Sequence, residues 1–298
     1  MDTRPGNVLT LHEALTMADD GGFALGSFSP RYTPMIRPVL RAGQMLHSPL
    51  IVQISQKELD RYGIAVKSFA HEFYDAVRQE RVQVPVVLHL DHTKDKSVIE
   101  DAIACGFTSV MIDASEQELD ENIRITKQIV EYAHARGVSV EAELGKIGTT
   151  DFLETDTDEE MYTDPEDAAR FVQETGVDAL AVSVGTAHGV YKVKEPSIDF
   201  ARIERIRKST DAFLVLHGGS GVPSWMVKQS IQLGIRKVNI ATDLELALLK
   251  ALAREERMSN AEMTSLAAED IAMAQRAVEV AVMAKVTDFL GSKDRVIA

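Results

Sequence analysis

The sequence contains a single cysteine, Cys105, among its 298 residues. One cysteine cannot form an intrachain disulfide, so a disulfide-stabilised secreted fold is excluded and a reducing cytoplasm is the expected location. Cys105 lies in the apolar stretch IACGF, which favours a buried structural thiol over a nucleophile.

Long hydrophobic runs and an excess of basic residues are also missing. No apolar run approaches the roughly 18 residues that would span a bilayer, so we expect no membrane partner. The N-terminal MDTRPGNVLTLHEAL has no basic region followed by an apolar stretch, and we expect no secretory signal. The formal net charge of −14 argues against nucleic acid as a partner, because binders of its backbone need a basic face. A small anionic substrate remains compatible, since backbone N–H groups bind phosphate even in an acidic protein.

The sequence does contain a regular alternation of short apolar segments with longer helical patterns. Eight segments predict β-strands, at 23–28, 49–54, 84–90, 107–113, 138–144, 178–184, 213–218 and 237–242. Helical patterns lie between them, for example over 116–136 and 164–175. Apolar strands joined through helices predict parallel pairing, and eight such units predict an α/β fold of the (β/α)8 TIM barrel type. A doubly wound open sheet is the alternative, but no GxGxxG follows the first strand.

We expect one domain over residues 1–298, because no linker, repeat or low-complexity tract divides the chain. Extra helices are predicted at both ends. One over 11–20 would close the bottom of the barrel, and a helical extension over about 260–298 is a candidate oligomer contact. The polar segment 145–164 has no helical pattern, and a long loop after a strand belongs on the face where barrel enzymes keep their active sites.

Polar side chains recur at the ends of the predicted strands, which a parallel barrel brings together around one mouth. They are His89, Asp91, His92, Asp113, Glu141, Glu143, His188, His217, Asn239 and Thr242. The imidazoles of His92, His188 and His217, with an open fourth position, are typical of a catalytic zinc site; the alternative is three ordinary strand-end histidines. His89 shares a strand face with Asp91, and either orients a neighbour or is simply a packed polar residue.

Two loops predict a phosphate site. HGGSGVP (217–223) follows the seventh strand, and NIATD (239–243) follows the eighth and opens a helix. Loops in these two places, together with exposed helix N-termini, form the usual phosphate site of this barrel.

The sequence resembles the class II, metal-dependent ketose-bisphosphate aldolases, and in particular the branch of fructose-bisphosphate and tagatose-bisphosphate aldolases. The matching strings are LHLDH (88–92), VMIDAS (110–115), VEAELG (140–145), TDPEDAARFVQETGVDALAV (163–182), VSVGTAHGVY (182–191), LHGGSGVP (216–223), KVNIATDL (237–244) and FLGS (289–292). The resemblance implies a carbon–carbon lyase of carbohydrate metabolism. Such an enzyme reversibly cleaves a ketose (bis)phosphate to dihydroxyacetone phosphate and an aldehyde, and works as a homo-oligomer, either a dimer or a tetramer.

The resemblance also implies roles for individual residues. His92, His188 and His217 would hold a divalent metal, usually zinc, and Asp91 would exchange the proton at the aldehyde-derived oxygen. Asp113 and Glu143 match the positions of an alternative or second metal site, and a monovalent cation is a further candidate. The residues that would bind the dihydroxyacetone phosphate portion are Gly189, Gly218, Gly219, Ser220, Asn239, Ile240, Ala241 and Thr242.

The sequence departs from the family pattern in three places. In the loop after the fifth strand, Asp151 replaces the catalytic glutamate, with Glu154 as the other candidate and a solvated acidic loop as the alternative. Ser29 replaces an asparagine after the first strand, and Arg31 close behind it is either a receptor for a second anion or a surface residue. Thr93 replaces a glycine after HLDH and narrows the space beside the metal. These changes predict a substrate other than fructose 1,6-bisphosphate, such as a modified or acidic sugar phosphate.

Three other functions remain open. A metal-dependent hydrolase on the same barrel would use zinc-bound water and would not need the GGSG and NIATD loops. A non-catalytic sugar-phosphate binding relative would fit the altered loop around Asp151. A Schiff-base aldolase would need a desolvated lysine at a strand end, whereas Lys237, the only lysine in the predicted strands, is placed at a strand start.

Overall fold

A computed structural model describes residues 4–145, 148–149, 162–189 and 196–296. The loop candidates Asp151 and Glu154 lie outside these described residues. The strands are β1 (Leu25–Phe28), β2 (Leu50–Ser55), β3 (Val86–Thr93), β4 (Ser109–Ile112), β5 (Ser139–Leu144), β6 (Gly148–Thr149), β7 (Ala179–Val182), β8 (Ala187–His188), β9 (Phe213–Leu216) and β10 (Ile235–Ile240).

Eight of these strands form a closed barrel in the order β1-β10-β9-β7-β5-β4-β3-β2, and every pairing between neighbours is parallel. The predicted (β/α)8 barrel is therefore confirmed, and each predicted strand corresponds to one barrel strand. The two short strands β6 and β8 pair with each other and extend the chain beyond the ends of β5 and β7.

Helices surround the barrel; the first precedes β1, and the others follow barrel strands. They are α1 (Leu11–Gly21), α2 (Ile36–Met45), α3 (Gln56–Tyr62), α4 (Val66–Gln79), α5 (Lys96–Ala104), α6 (Leu119–His134), α7 (Pro165–Thr175), α8 (Phe200–Ser209), α9 (Ser224–Gln232), α10 (Thr242–Ala251), α11 (Asn260–Thr264) and α12 (Ala268–Lys285). The sequence specifies where α7 begins. The Asp164 side chain caps the helix by accepting hydrogen bonds from the backbone N–H groups of Glu166 and Asp167. Among the described residues, no helix has both the length and the apolar character needed to cross a membrane.

The inside of the barrel is apolar at its bottom and polar towards its mouth. Leu11 and Leu15 of α1 pack against inward-facing strand residues such as Val87 and Val215, so α1 closes the bottom as predicted. Because side chains alternate along a strand, the inward positions that follow Val87 in β3 are His89 and Asp91. The polar layers therefore lie directly above a layer of buried apolar side chains.

Candidate active site

A local irregularity in β3 directs the side chains of two adjacent residues, Asp91 and His92, to the same part of the barrel mouth. In a regular strand Asp91 and His92 would point to opposite faces. Here the register between β3 and β4 shifts between Leu90 and Thr93, and His92 has a backbone φ of +21°. Such a bulge redirects a side chain. As a result, one potential ligand atom from each of Asp91, His92 and His217 lies within 4.8 Å of the others.

Two carboxylates orient the imidazoles of this cluster. The Nδ1 atom of His92 lies 2.8 Å from Oδ2 of Asp113, and the Nε2 atom of His217 lies 2.9 Å from Oε1 of Glu141. Histidines that bind metals characteristically donate their other ring N–H to a carboxylate in this way. The ring nitrogens on the opposite side from these two carboxylates, Nε2 of His92 and Nδ1 of His217, are therefore the candidates for binding a metal ion.

The negative charges around the imidazoles of His92 and His217 favour a cation between these side chains. Burial lowers the pKa of His92, but the charge of Asp91 and the hydrogen bond to Asp113 outweigh it and raise the pKa to about 10. Oε2 of Glu143 is buried without a well-formed hydrogen bond to any described residue, and lies 3.3 Å from Nδ1 of His217. A buried carboxylate oxygen of this kind is costly unless a cation compensates it.

The donor set of the described side chains therefore fits a divalent metal. Imidazole nitrogens with carboxylate oxygens suit zinc among the common ions. A second group of possible ligand atoms, from His92, Asp113 and Glu143, overlaps the first. The backbone of His188 belongs to β8, whereas its side chain lies outside the described part of the chain.

Asp91 is held by two amides. Nε2 of Gln53 donates to Oδ2 at 3.1 Å, and Nδ2 of Asn239 donates to Oδ1 at 3.1 Å. Burial raises the pKa of Asp91, but the neighbouring charges, of which His92 is the largest, bring it well below its usual value. The carboxylate is therefore ionised and fixed in orientation, as a proton acceptor must be.

His89 is fully buried between two carboxylates. Its Nδ1 lies 2.8 Å from the Ser109 hydroxyl, and its Nε2 lies 3.8 Å from Asp91 and 3.6 Å from Glu141. Burial and the charge of Lys237 lower the pKa of His89, so the imidazole is neutral. His89 is therefore buried with its second nitrogen facing the two acids, and the predicted alternative that it orients Asp91 stays a prediction.

The loop after β9 contacts the backbone that carries His188. Gly218 has a φ of +69°, and a Cβ at this position would lie 2.3 Å from the carbonyl oxygen of Ala187. Only glycine allows both the left-handed backbone and this close approach. The loop after β9 is thus packed directly against β8.

The loops after β9 and β10 are joined by hydrogen bonds. The N–H of Gly219 donates to the carbonyl of Asn239 at 3.0 Å, and the Ser220 hydroxyl accepts from the N–H of Asp243 at 3.2 Å. Since Asp243 is in the first turn of α10, the N-terminus of that helix lies beside Ser220. Helix N-termini and exposed loop N–H groups bind anions. The other predicted phosphate-binding residues are at the ends of these elements. Gly189 follows β8, Ile240 ends β10, Ala241 joins the two elements, and Thr242 begins α10.

The prediction that Arg31 is a surface residue is wrong, whereas its other predicted role, as a receptor for a second anion, stays a prediction. Its side chain is only 11% exposed, its Nε lies 3.1 Å from Oε1 of Glu58, and its Nη1 forms an ion pair with Glu245. Burial lowers the pKa of the guanidinium, but the two carboxylates raise it above its usual value. The Ser29 hydroxyl donates to the same Glu58 at 2.8 Å. Arg31 is therefore not a surface residue, and its charge is already paired with two carboxylates.

We predict that Arg31→Met lowers the free energy of unfolding by up to about 3 kcal/mol, because buried carboxylates lose a countercharge. Glu245 retains Arg257 at 2.7 Å, which limits the effect. Denaturant unfolding measures the change, with the exposed Arg61→Met on α3 as the control. If Arg31→Met instead kept the wild-type stability and raised KM, Arg31 would act as the anion receptor.

Part of the polar interior escapes prediction from the sequence. Lys237 is not at a strand start but is the third residue of β10, and it is fully buried. Gln53 and Ser27, whose hydroxyl donates to the Gln53 side chain, are absent from the predicted site residues. The alternation of side chains along a strand could have identified these three residues, because each is a polar residue at an inward-facing position of an otherwise apolar strand.

The comparisons with known proteins agree over most of the chain. The family described as "Fructose-bisphosphate aldolase class-II" matches residues 9–295. A fructose-bisphosphate aldolase of Geobacillus stearothermophilus is 40% identical over 248 residues, which cover 83% of this chain and 85% of the relative. One from Staphylococcus epidermidis is 34% identical over 291 residues, covering 97% of this chain and 99% of the relative. The crystal structure of the YdjI aldolase from Escherichia coli K12 has a TM-score of 0.81 at 29% identity, covering 97% of this chain and 100% of that one.

The closed barrel, with a His/Asp/Glu cluster at the strand ends, defines an enzyme of the TIM-barrel type. The chain belongs to the class II fructose-bisphosphate aldolase family and is a class II aldolase, a carbon–carbon lyase. Its family acts on phosphorylated sugars, in keeping with the two hydrogen-bonded loops beside the N-terminus of α10.

Proposed function

We propose that the protein is a zinc-dependent aldolase that reversibly cleaves a ketose 1-phosphate to dihydroxyacetone phosphate and an aldehyde. The observation that carries this proposal is the position of Asp91. It is an ionised carboxylate held by Gln53 and Asn239 next to the imidazoles of His92 and His217. A proton acceptor beside a cation site is what retro-aldol cleavage requires.

His92 and His217, with His188 as the third imidazole, would hold the zinc ion. Asp113 and Glu143 would provide the alternative or second cation position, for a divalent or monovalent ion. When bound, the metal supplies Lewis-acid stabilisation of the negative charge that develops as the carbon–carbon bond breaks.

The chain's own residues bind the substrate and move the protons. The loop at Gly218–Ser220 and the N-terminus of α10 hold the C1 phosphate. Asp91 takes the proton of the C4 hydroxyl, the C3–C4 bond breaks to release the aldehyde, and in condensation Asp91 returns the proton. Asp151 or Glu154, outside the described residues, would exchange the proton at C3.

The substrate that we propose is not fructose 1,6-bisphosphate. Arg31 is already neutralised by Glu58 and Glu245, and Ser29 is bound to Glu58, so these residues offer no charge to a second phosphate. Thr93 is buried and donates to the Asp91 carbonyl at 3.0 Å, where the family pattern has glycine. The names of the relatives favour the competing candidate, fructose 1,6-bisphosphate itself.

A matched pair of substrates separates these candidates. Fructose 1-phosphate and fructose 1,6-bisphosphate differ only in the second phosphate, and a wider panel would add ketose 1-phosphates that end in a carboxylate. We expect fructose 1,6-bisphosphate not to have the highest kcat/KM for release of dihydroxyacetone phosphate. If it exceeds every other ketose phosphate by a wide margin, the proposed preference is wrong.

We also propose a homo-oligomer that works in the cytoplasm. Met273 and Val280, seven residues apart on α12 and therefore on one face of the helix, are 45% and 59% exposed. Apolar residues at such positions suit a contact with a second copy of the chain. Light scattering that shows a monomer at working concentrations would exclude the oligomer.

A further inference from the structure

The barrel interior contains an ion pair to which the proposed reaction gives no role. Nζ of Lys237 lies 2.8 Å from Oε2 of Glu141, and both side chains are fully buried. Burial raises the pKa of Glu141, but the charge of Lys237 and the hydrogen bond from His217 outweigh it and bring the pKa to about 2. A buried ion pair is generally no more stabilising than apolar side chains of the same volume.

The Lys237 end of this pair acts on the proton carrier. Its Nζ donates to Oδ1 of Asn239 at 2.8 Å, and Nδ2 of the same amide donates to Asp91 at 3.1 Å. A side-chain amide can bind in two orientations that exchange its donor and its acceptor. The ammonium group selects the orientation that directs a donor at Asp91, since the other would place a carbonyl against the carboxylate.

The Glu141 end acts on the cation site. Its Oε1 lies 2.9 Å from Nε2 of His217. A carboxylate at this nitrogen fixes the tautomer in which Nε2 carries the proton and Nδ1 carries the lone pair. The same ion pair thus contacts both parts of the site.

We propose that Lys237 and Glu141 are positioning residues that jointly fix the Asn239 amide against Asp91 and the metal-binding nitrogen of His217. This inference rests on the proposed function. It explains why two charges occupy the barrel interior directly above an apolar layer, where aliphatic side chains would fill the space without cost in desolvation.

The test replaces the pair by apolar side chains of similar volume, in the double variant Lys237→Met/Glu141→Leu. Removing both charges leaves neither unpaired, so the variant is expected to fold with a melting temperature near that of the wild type. Either single change would leave a buried charge and is expected to unfold more easily. The matched control is Arg236→Met, which removes the adjacent cation of β10, paired with Asp19 at 2.6 Å.

Two readouts distinguish a positioning role from a structural one. Zinc affinity, measured by competition with a chelating dye, should fall about 10- to 100-fold in the double variant because His217 loses its carboxylate. At saturating zinc, kcat for cleavage should still be about 10²-fold lower with little change in KM, because the Asn239 amide loses the ammonium contact that orients its donor towards Asp91. The Arg236→Met control should keep both values.

A folded double variant with wild-type zinc affinity, or with wild-type kcat, would overturn the proposal. The two hypotheses fail separately. If the wild-type enzyme cleaves no ketose phosphate, the proposed function is wrong, whereas the zinc measurement needs no substrate and still decides whether Glu141 positions His217.

Discussion

Asp91→Asn should lower kcat for aldol cleavage by about 10²- to 10⁴-fold, the usual contribution of a positioned acid–base group. The change keeps the volume of the side chain but removes the basic oxygen, and the new amide can accept a hydrogen bond from only one of Gln53 and Asn239. Because His92 and His217 remain, zinc content should stay near that of the wild type. Release of dihydroxyacetone phosphate and metal analysis of the purified protein measure the two effects.

Asp101→Asn, an exposed substitution on α5, is the control and should leave turnover unchanged. The same assay separates the other candidate functions. A metal-dependent hydrolase would release inorganic phosphate without forming dihydroxyacetone phosphate. A non-catalytic binding protein would show no turnover in the wild type, and the substitution would then change only ligand affinity. Full activity of Asp91→Asn would exclude Asp91 as the proton carrier.

The fold could be predicted from the sequence because its strands are nearly continuous apolar runs. Barrel strands are covered on both sides at their lower ends, so segments such as 49–54 and 213–218 stand out against the helical patterns. The strand boundaries were harder to predict. β10 begins at Ile235, two residues before the predicted start, because the charged Arg236 and Lys237 separate Ile235 from the apolar residues later in the strand.

The geometry of the site could be predicted from the sequence only in part. Strand alternation predicts opposite directions for Asp91 and His92, and only the bulge in β3 places both at one point. The partners of Arg31 come from α3 and α10, which are distant in sequence. The sequence predicts Lys237 at the start of a strand, whereas the structure places its side chain inside the barrel beside Glu141. Such long-range pairings depend on how elements meet, which no local pattern specifies.

Removing the metal should abolish turnover. Lewis-acid stabilisation is worth several kcal/mol, and each 1.36 kcal/mol is a factor of ten, so chelation should reduce kcat by at least about 10³-fold. Added zinc should restore activity. It should also raise the melting temperature, because a ligand that binds only the folded state stabilises it. The activity and thermal unfolding of chelated and reconstituted protein test both expectations.

His217→Ala is the matching variant, since it removes one imidazole and leaves Glu141 and Glu143 without their contacts to it. It should fail to regain activity at zinc concentrations that restore the wild type, whereas the exposed His71→Ala on α4 should reconstitute normally. Both variants lose one histidine, so a difference between them assigns the metal to the barrel mouth rather than to surface imidazoles. Undiminished turnover by chelated wild-type protein, shown by metal analysis to be free of zinc, would refute the metal-dependent mechanism. Because Asp91 does not depend on His217 for its two amide contacts, the two substitutions probe separate parts of the same reaction.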